Sequence, residues 1–103
     1  MPAVPKRDVF QAIADPTRRR LLRLVADDES AVTTLSGHFP ISRTAVAKHL
    51  RILEEAGLVG HHKQGRARLY HLHPEPLIEV KKWLSFYEDF WDKKIDKLKD
   101  IID

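Results

Sequence analysis

The chain has 103 residues, of which 43% are hydrophobic and 32% are charged, so it can form one small globular domain and is too apolar to be disordered. It has no cysteine, which excludes disulfides, thiolate metal sites and thiol catalysis and is compatible with a cytoplasmic location. No apolar run approaches the roughly 20 residues of a membrane helix, and the N-terminus lacks the apolar core of a secretory signal. We therefore predict a single cytoplasmic domain over residues 1–103, without a membrane contact.

The net charge of +3 is distributed unevenly along the chain. Residues 1–73 carry 12 Lys and Arg against 7 Asp and Glu, whereas residues 74–103 carry 6 against 8. A basic body favours a polyanionic partner, and the mildly acidic tail is expected to have a different role.

Apolar spacing and capping residues predict two helices in the first 30 residues. Val9, Phe10 and Ile13 indicate a short first helix. Asp15 is placed to cap a second helix, and Pro16 suits its first position. The inward stripe of this second helix is expected to consist of Leu21, Leu22 and Val25.

Two more helices are predicted on either side of a turn that contains proline. A short third helix is expected over about Thr33 to Phe39 with Leu35 inward, because Pro40 forces the residue before it out of helical geometry. Ser42 is placed to cap a fourth helix, and Gly57 is placed to end it. Two helices joined by a tight turn form a helix-turn-helix motif.

The last part of the chain predicts a β-hairpin and one long helix. A Gln-Gly turn signal lies between two segments with strand pattern, so a hairpin is expected over residues 59–73. After two prolines, helical spacing continues over residues 77–102, which predicts a dimerisation helix about 39 Å long. The element order α-α-α-α-β-β-α, mainly α with a small β-hairpin, is that of a winged helix-turn-helix.

The fourth predicted helix has an outward surface that suits DNA. Val46, Leu50 and Leu53 fall on one face, while the opposite face carries cations and small residues near its N-terminus. Small side chains permit close approach, cations attract phosphate and guanine, and the major groove is wide enough for a helix. A solvated surface would explain the charges of this helix alone, but the preceding turn and the basic hairpin favour DNA.

Four parts of the sequence resemble the ArsR-type winged-helix repressors. They are ADPTRRRLLRLV, SRTAVAKHLRILEEAGLV, KQGRARLYHL and the late Trp83, and the resemblance covers about Asp8 to Leu84. It implies a homodimeric transcriptional repressor that binds a specific operator in double-stranded DNA, with Ser42 to Ala56 as recognition helix and Val59 to His73 as wing. The contact residues that it implies are Ser42, Arg43, Thr44, Ala47, Lys48 and Arg51 on the helix and Lys63, Gly65, Arg66 and Arg68 on the wing.

The ligands by which founding members of that family sense metals are missing here. The third helix reads TTLSGHF without cysteine, and the last helix has acidic residues but no histidine. The long aromatic final helix is similar to the branch of the family that represses, often its own operon, without a known metal. No metal or other cofactor is therefore expected, and a small-molecule inducer is left undefined.

The tail predicts the interface of a homodimer. Its helical apolar stripe is long enough to project beyond a body of about 75 residues, where it would be exposed. A second copy related by a two-fold axis would cover this face and place two recognition helices about 34 Å apart on an inverted repeat. The expected interface residues are Val9, Phe10, Ile13, Trp83, Leu84, Tyr87, Phe90, Trp91, Ile95 and Leu98.

Two other functions stay open, and an enzyme is not expected. His61, His62, His71 and His73 lie on the predicted hairpin, so a histidine-based metal-responsive regulator is one alternative. A winged helix that binds only protein is the other, although such domains often lose the small cationic surface that this chain keeps. No nucleophile motif, glycine-rich phosphate loop or HExxH motif occurs, so no catalytic residue is assigned.

Overall fold

A computed structural model describes residues 6–102 of the chain. Its element order confirms the predicted winged helix-turn-helix class, with an additional strand and a divided last helix. The elements are α1 Val9–Ala12, α2 Pro16–Asp27, β1 Ser30–Ala31, α3 Val32–Ser36, α4 Arg43–Glu55, β2 Val59–Gln64, β3 Ala67–Leu72, α5 Leu77–Ser85 and α6 Glu88–Ile102.

Capping side chains determine where α2 and α4 begin, as predicted. The Asp15 carboxylate accepts the backbone N–H of Arg18 at 3.0 Å, which satisfies a donor that has no partner within the helix. The Ser42 hydroxyl accepts the backbone N–H of Ala45 at 3.1 Å in the same way. Gly57 follows α4 with a φ of 75°, a conformation that glycine adopts without steric cost.

The core lies between the inward faces of α2, α3 and α4 and the start of the sheet. The inward positions predicted for these three helices are confirmed, because each of their side chains is buried. Burial of such side chains from water is the main favourable term in folding. The largest fully buried side chains are Leu21, Leu35, Val46, Leu50, Leu53, Leu58 and Val59.

The predicted hairpin belongs to a three-stranded antiparallel sheet with the order β1-β3-β2. In the hairpin, Val59 pairs with Leu72 at one end and Gln64 with Ala67 at the other. β1 adds two residues that pair with β3 on its free side. The sequence does not predict β1, because a strand of two residues is too short to show an alternating pattern.

The single long helix predicted for the tail is wrong, because α5 and α6 are separated by a turn at Phe86 and Tyr87. The N–H of Tyr87 donates to the carbonyl of Leu84 at 2.9 Å, three residues back. The Ser85 hydroxyl donates to the carbonyl of Lys81 at 2.9 Å, and such side-chain bonds compete with the backbone ladder and bend helices. α6 alone is about 22 Å long.

The tail nevertheless extends away from the body, as predicted. No residue of α5 or α6 is buried. The radius of gyration is 17.4 Å, larger than the value of about 13 Å for a compact chain of this length. Within residues 6–102, no helix is long and apolar enough to cross a membrane.

Candidate nucleic-acid interface

A tight turn between α3 and α4 holds α4 at the surface of the body. α3 ends at Ser36, earlier than the predicted end near Phe39, because the N–H groups of residues 37–39 bond carbonyls three residues back. Leu35 anchors α3 in the core, and the Arg20 guanidinium lies 4.9 Å from the centre of the Phe39 ring. The turn is therefore packed against α2.

The first two turns of α4 present most of the predicted contact residues to solvent. Arg43, Thr44 and Lys48 are exposed, and the small side chain of Ala47 is half-buried beside them. Within residues 6–102, no carboxylate lies within ion-pair distance of Arg43 or Lys48. This surface therefore carries positive charge that the described part of the chain does not neutralise.

Ser42 is exposed and already has a structural role as the cap of α4. Its hydroxyl oxygen accepts the N–H of Ala45. The hydroxyl hydrogen is a separate donor, so Ser42 can cap the helix and also donate to an anion such as a phosphate oxygen.

Arg51 differs from the other predicted contacts because an ion pair holds it. Its Nε lies 3.5 Å from Oε1 of Glu55, while Nε of Arg7 lies 2.6 Å from Oε2 of the same carboxylate. The hydrogen bond from Arg7 lowers the pKa of Glu55 below its ordinary value, with smaller contributions from the charges of Arg51 and Lys6. Arg51 is exposed, but Glu55 offsets part of its charge.

The wing brings two cations into direct opposition. Lys63 on β2 pairs with Arg68 on β3, so their side chains leave the sheet next to each other on one face. Like charges at directly opposed positions destabilise a sheet, and no carboxylate of residues 6–102 lies within ion-pair distance of either. A bound anion would remove this repulsion.

The tip of the wing is a two-residue connection formed by Gly65 and Arg66. Gly65 has a φ of 64°, and glycine at the first of two connecting residues is typical of a type II′ turn. Apart from the two chain neighbours of Gly65, no residue between 6 and 102 places an atom within 4 Å of the position that a Cβ would take there, so the backbone at the tip is open. Arg66 is exposed beside it.

Arg18 connects α1 with α4, which the sequence does not predict. Its Nε donates to the carbonyl of Ala12 at 2.7 Å, its Nη2 donates to that of Gln11 at 3.3 Å, and its Nη1 lies 3.4 Å from Nδ1 of His49. One side chain on α2 thereby joins α1 to α4. In the sequence it is one of three consecutive arginines, and nothing in that pattern distinguishes it from an exposed residue.

Comparison with known proteins places this arrangement in a family. The model of the family described as bacterial regulatory protein, arsR family, matches residues 15–60. The chain is 34% identical over 77 residues to the transcriptional repressor SdpR of Bacillus subtilis, covering 75% of this chain and 86% of SdpR. It is 35% identical over 94 residues to the HTH-type transcriptional regulator Rv2034 of Mycobacterium tuberculosis, covering 91% of this chain and 85% of Rv2034. The chain belongs to the ArsR family.

A solved structure agrees with this assignment. The crystal structure of a possible transcriptional regulator for arsenical resistance superposes with a TM-score of 0.75 at 42% identity, covering 88% of this chain and 96% of that one. The ArsR-family protein is therefore a transcriptional regulator with a winged helix-turn-helix of the DNA-binding type, and its relatives are regulators rather than enzymes. The resemblance inferred from the sequence is confirmed.

The hairpin histidines of this ArsR-family protein separate onto two faces of the sheet. His61 faces Tyr70, and its Nδ1 lies within hydrogen-bond distance of Oε1 of Glu54. His62 and His71 lie on the other face, and the carboxylate of Glu29 reaches both of them. The sequence analysis did not include Glu29, because its approach depends on the pairing of β1 with β3.

The apolar residues predicted at the dimer interface form an exposed surface along the tail. Five of them line an open groove of about 770 Å³, together with lysines of α6. Val9 is the exception, because it is only 4% exposed and packs in the core of its own chain, which leaves little of its side chain available to a partner. Phe10 and Ile13 are half-buried at the base of the tail. The exposed members are Trp83, Leu84, Tyr87, Phe90, Trp91, Ile95 and Leu98, between 38% and 64% accessible.

Proposed function

We propose that this ArsR-family protein is a repressor that binds an inverted-repeat operator in double-stranded DNA as a homodimer. The observation that carries the proposal is the direct opposition of Lys63 and Arg68 on the wing. Within residues 6–102, these two side chains and Arg43 and Lys48 of α4 have no carboxylate within ion-pair distance. Such a surface is stabilised by a polyanion. The similarity to SdpR, a transcriptional repressor, supports repression rather than activation.

α4 suits the major groove as the recognition helix. The groove is about 12 Å wide and admits an α-helix, and Ala47 lets the helix approach the bases closely. Thr44 and Lys48 can donate to base edges from the outward face. Ser42 and Arg43 at the N-terminus and Arg51 further along suit phosphate contacts, which position the protein on the duplex.

The wing suits the DNA backbone beside the major groove. Lys63 and Arg68 together present two positive charges to one phosphate segment, and Arg66 extends the charge to the tip. The open backbone at Gly65 allows the tip to approach the minor groove without a side chain in between. These contacts supply affinity and no direct sequence information.

A second copy is the partner that suits the tail. Large apolar side chains exposed along one helix face are common in protein interfaces. α6 also alternates acidic residues with lysines, so its surface is self-complementary in charge when a two-fold axis brings it against itself. With Val9 buried, the proposed interface consists of α5 and α6, while Phe10 and Ile13 support its base.

Salt dependence of DNA binding tests the proposal. Operator fragments are first selected from genomic DNA with the purified protein, and their affinity is then measured by fluorescence anisotropy. If the dimer neutralises about 6–10 phosphates, affinity should fall by ~10³–10⁵ between 50 and 200 mM salt. A flat salt response, or the absence of any selected DNA, would support the protein-binding alternative instead. The expected location of this activity is the cytoplasm.

A matched pair of variants assigns the phosphate contacts to the wing. Removing both cations with Lys63→Ala/Arg68→Ala should lower the slope of log affinity against log salt by about 3–4, since four contacts per dimer are lost at ~0.9 each. Lys81→Ala/Lys82→Ala removes the same charge from exposed residues of α5 and should leave the slope unchanged.

A further inference from the structure

We infer that Glu29, His62 and His71 form a binding site for a divalent transition-metal ion where the sheet meets the end of α2. This inference goes beyond the proposed operator binding and does not depend on it. The hairpin histidines alone left a metal site open as an alternative, and the fold adds a carboxylate from the residue that precedes β1.

The strand register brings the three side chains to one face of the sheet. His71 pairs with Gly60 across β2 and β3, and His62 pairs with Leu69, two residues before His71 on the same face. The register of β1 with β3 places Glu29, the residue before β1, beside His71. The three ligands therefore come from three separate segments that the sheet holds together.

The possible ligand atoms already converge. Oε1 of Glu29 lies 3.2 Å from Nε2 of His62, and Oε2 lies 4.0 Å from Nδ1 of His71. One ligand atom from each residue lies within 4.8 Å of the other two. Ligand atoms around a tetrahedral zinc ion are about 3.4 Å apart, given bonds of about 2.0–2.1 Å, so small side-chain rotations close the site. All three side chains are partly exposed.

One ring nitrogen of His71 has no hydrogen-bond partner among residues 6–102, and the contact between Glu29 and His62 does not supply one. Within residues 6–102, Nδ1 of His71 is shielded from solvent and has no hydrogen-bond partner. Its other nitrogen, Nε2, lies 3.0 Å from Nε2 of His73. If His71 donates through Nε2 to His73, Nδ1 keeps a free lone pair beside the Glu29 carboxylate. A metal ion would satisfy that lone pair.

Gly60 provides the space in which the two imidazoles lie. A Cβ at this position would come within 2.7 Å of Cε1 of His73, closer than real Cβ atoms approach, and within 3.0 Å of Nε2 of His71, which is a tight contact. The imidazoles would therefore have to move. The backbone N–H of His73 donates to the carbonyl of Leu58 at 2.8 Å. This bond continues the hydrogen-bond ladder between β2 and β3 and fixes the position of the His73 backbone. His73 is then a positioning residue that orients a metal ligand through a hydrogen bond.

The ligand set indicates the class of ion. Two imidazoles and one carboxylate suit Zn²⁺ and its neighbours such as Co²⁺ and Ni²⁺, whereas Mg²⁺ and Ca²⁺ prefer oxygen ligands alone. Three protein ligands leave a fourth tetrahedral position for water. A bound ion would join the wing to the connection between α2 and β1, and so restrict the wing relative to α4.

Zinc titration of the chelator-treated full chain tests the site. Competition with a chromophoric chelator should give one Zn²⁺ per protomer, and Co²⁺ should give the visible absorption of a four-coordinate ion. Glu29→Gln, His62→Gln and His71→Gln should each weaken Zn²⁺ binding by at least about 100-fold, because each removes a ligand. His73→Gln should weaken it by about 10–100-fold, as expected for a residue that orients a ligand.

His61→Gln is the matched control, since His61 precedes His62 on the same strand but faces the other side of the sheet. It should leave Zn²⁺ affinity unchanged. Gly60→Ala keeps every ligand and should still weaken binding, because it displaces the imidazoles. Circular dichroism without metal checks that each variant is folded.

Three results would overturn the inference: no stoichiometric binding by the wild type, equal losses in His61→Gln and His62→Gln, or unchanged affinity in the ligand variants. None of these assays contains DNA, so their outcome is separate from that of the operator experiments.

Discussion

The ring of Phe10 meets the ring of Trp83 edge-on, with centroids 5.6 Å apart and planes at 80°. This contact joins α1 of the body to α5 at the base of the tail. Trp83 in turn packs edge-on against Tyr87 at the break before α6, with centroids 5.4 Å apart. These aromatic contacts, together with Leu77 and Val80 of α5 that pack against the core, hold the tail at its angle to the body.

Replacing Phe10 with alanine is expected to loosen this joint. The free energy of unfolding should fall by ~1–3 kcal/mol, less than the roughly 3–5 kcal/mol of a fully buried phenylalanine, because Phe10 is half-buried. Binding to a full operator should weaken more than binding to a half-site, since the spacing of two α4 helices becomes less well defined. Urea unfolding and anisotropy measure the two effects. Phe10→Leu keeps most of the apolar volume and should retain most of the stability.

Variants of α4 and the wing should separate base contacts from phosphate contacts. Thr44→Ala or Lys48→Ala should cost ~1–3 kcal/mol of operator binding and relax the preference at one base position. Arg66→Ala should instead weaken binding to all sequences alike. Competition against a library of single-base operator variants measures both, with Lys99→Ala in α6 as control. Unchanged operator binding in both α4 variants would show that the proposed contact face of α4 is wrong.

An acidic residue in the apolar face of the tail should dissociate the proposed dimer. Trp91→Asp places a charge in that face, at a side chain that is 64% exposed and is not needed for the core. The variant should sediment as a monomer at micromolar concentration, and its operator affinity should fall much further than its non-specific affinity. Lys99→Asp puts the same charge outside the apolar stripe and should remain dimeric. A wild-type monomer that binds a half-site at full strength would refute the dimer.

The cap of α2 should show in both stability and its pH dependence. Asp15→Ala should cost about 1 kcal/mol, within the range of ~0.5–2 kcal/mol for lost caps, while Asp15→Asn keeps the acceptor. Partial burial acts to raise the pKa of Asp15, but the backbone N–H and the charge of Arg18 outweigh it, so the pKa is lowered.

A carboxyl group with a lowered pKa stabilises the folded state at pH values above the ordinary Asp pKa of about 3.9. This stabilisation is lost as the pH falls through the pKa that the group has in the folded state. The stability advantage of the wild type over Asp15→Asn should therefore shrink below about pH 4 in urea unfolding. An advantage that grows on acidification would contradict the assigned sign.

Much of the fold of the body follows from local sequence signals. Asp15 and Ser42 cap the helices that they were predicted to cap, and Leu35, Val46 and Leu50 are buried as their spacing indicates. Capping and apolar periodicity act over four or fewer residues, so a sequence shows them directly. The same signals predicted α3 to be longer than it is, and they predicted α5 and α6 to be one helix. The hydrogen bonds to carbonyls three residues back and the bond from the Ser85 side chain leave no comparable pattern in the sequence.

Only the tertiary structure decided which distant residues meet. Arg18 and Glu29 read as ordinary surface charges, yet Arg18 joins α1 to α4, and Glu29 reaches His62 and His71. Strand register is the physical reason for the second case, since a shift of one residue would turn His61 rather than His62 towards His71. That register is set by the pairing of three strands and by the burial of one face of the sheet. Both involve residues far apart in the chain, so no single segment of the sequence reveals them.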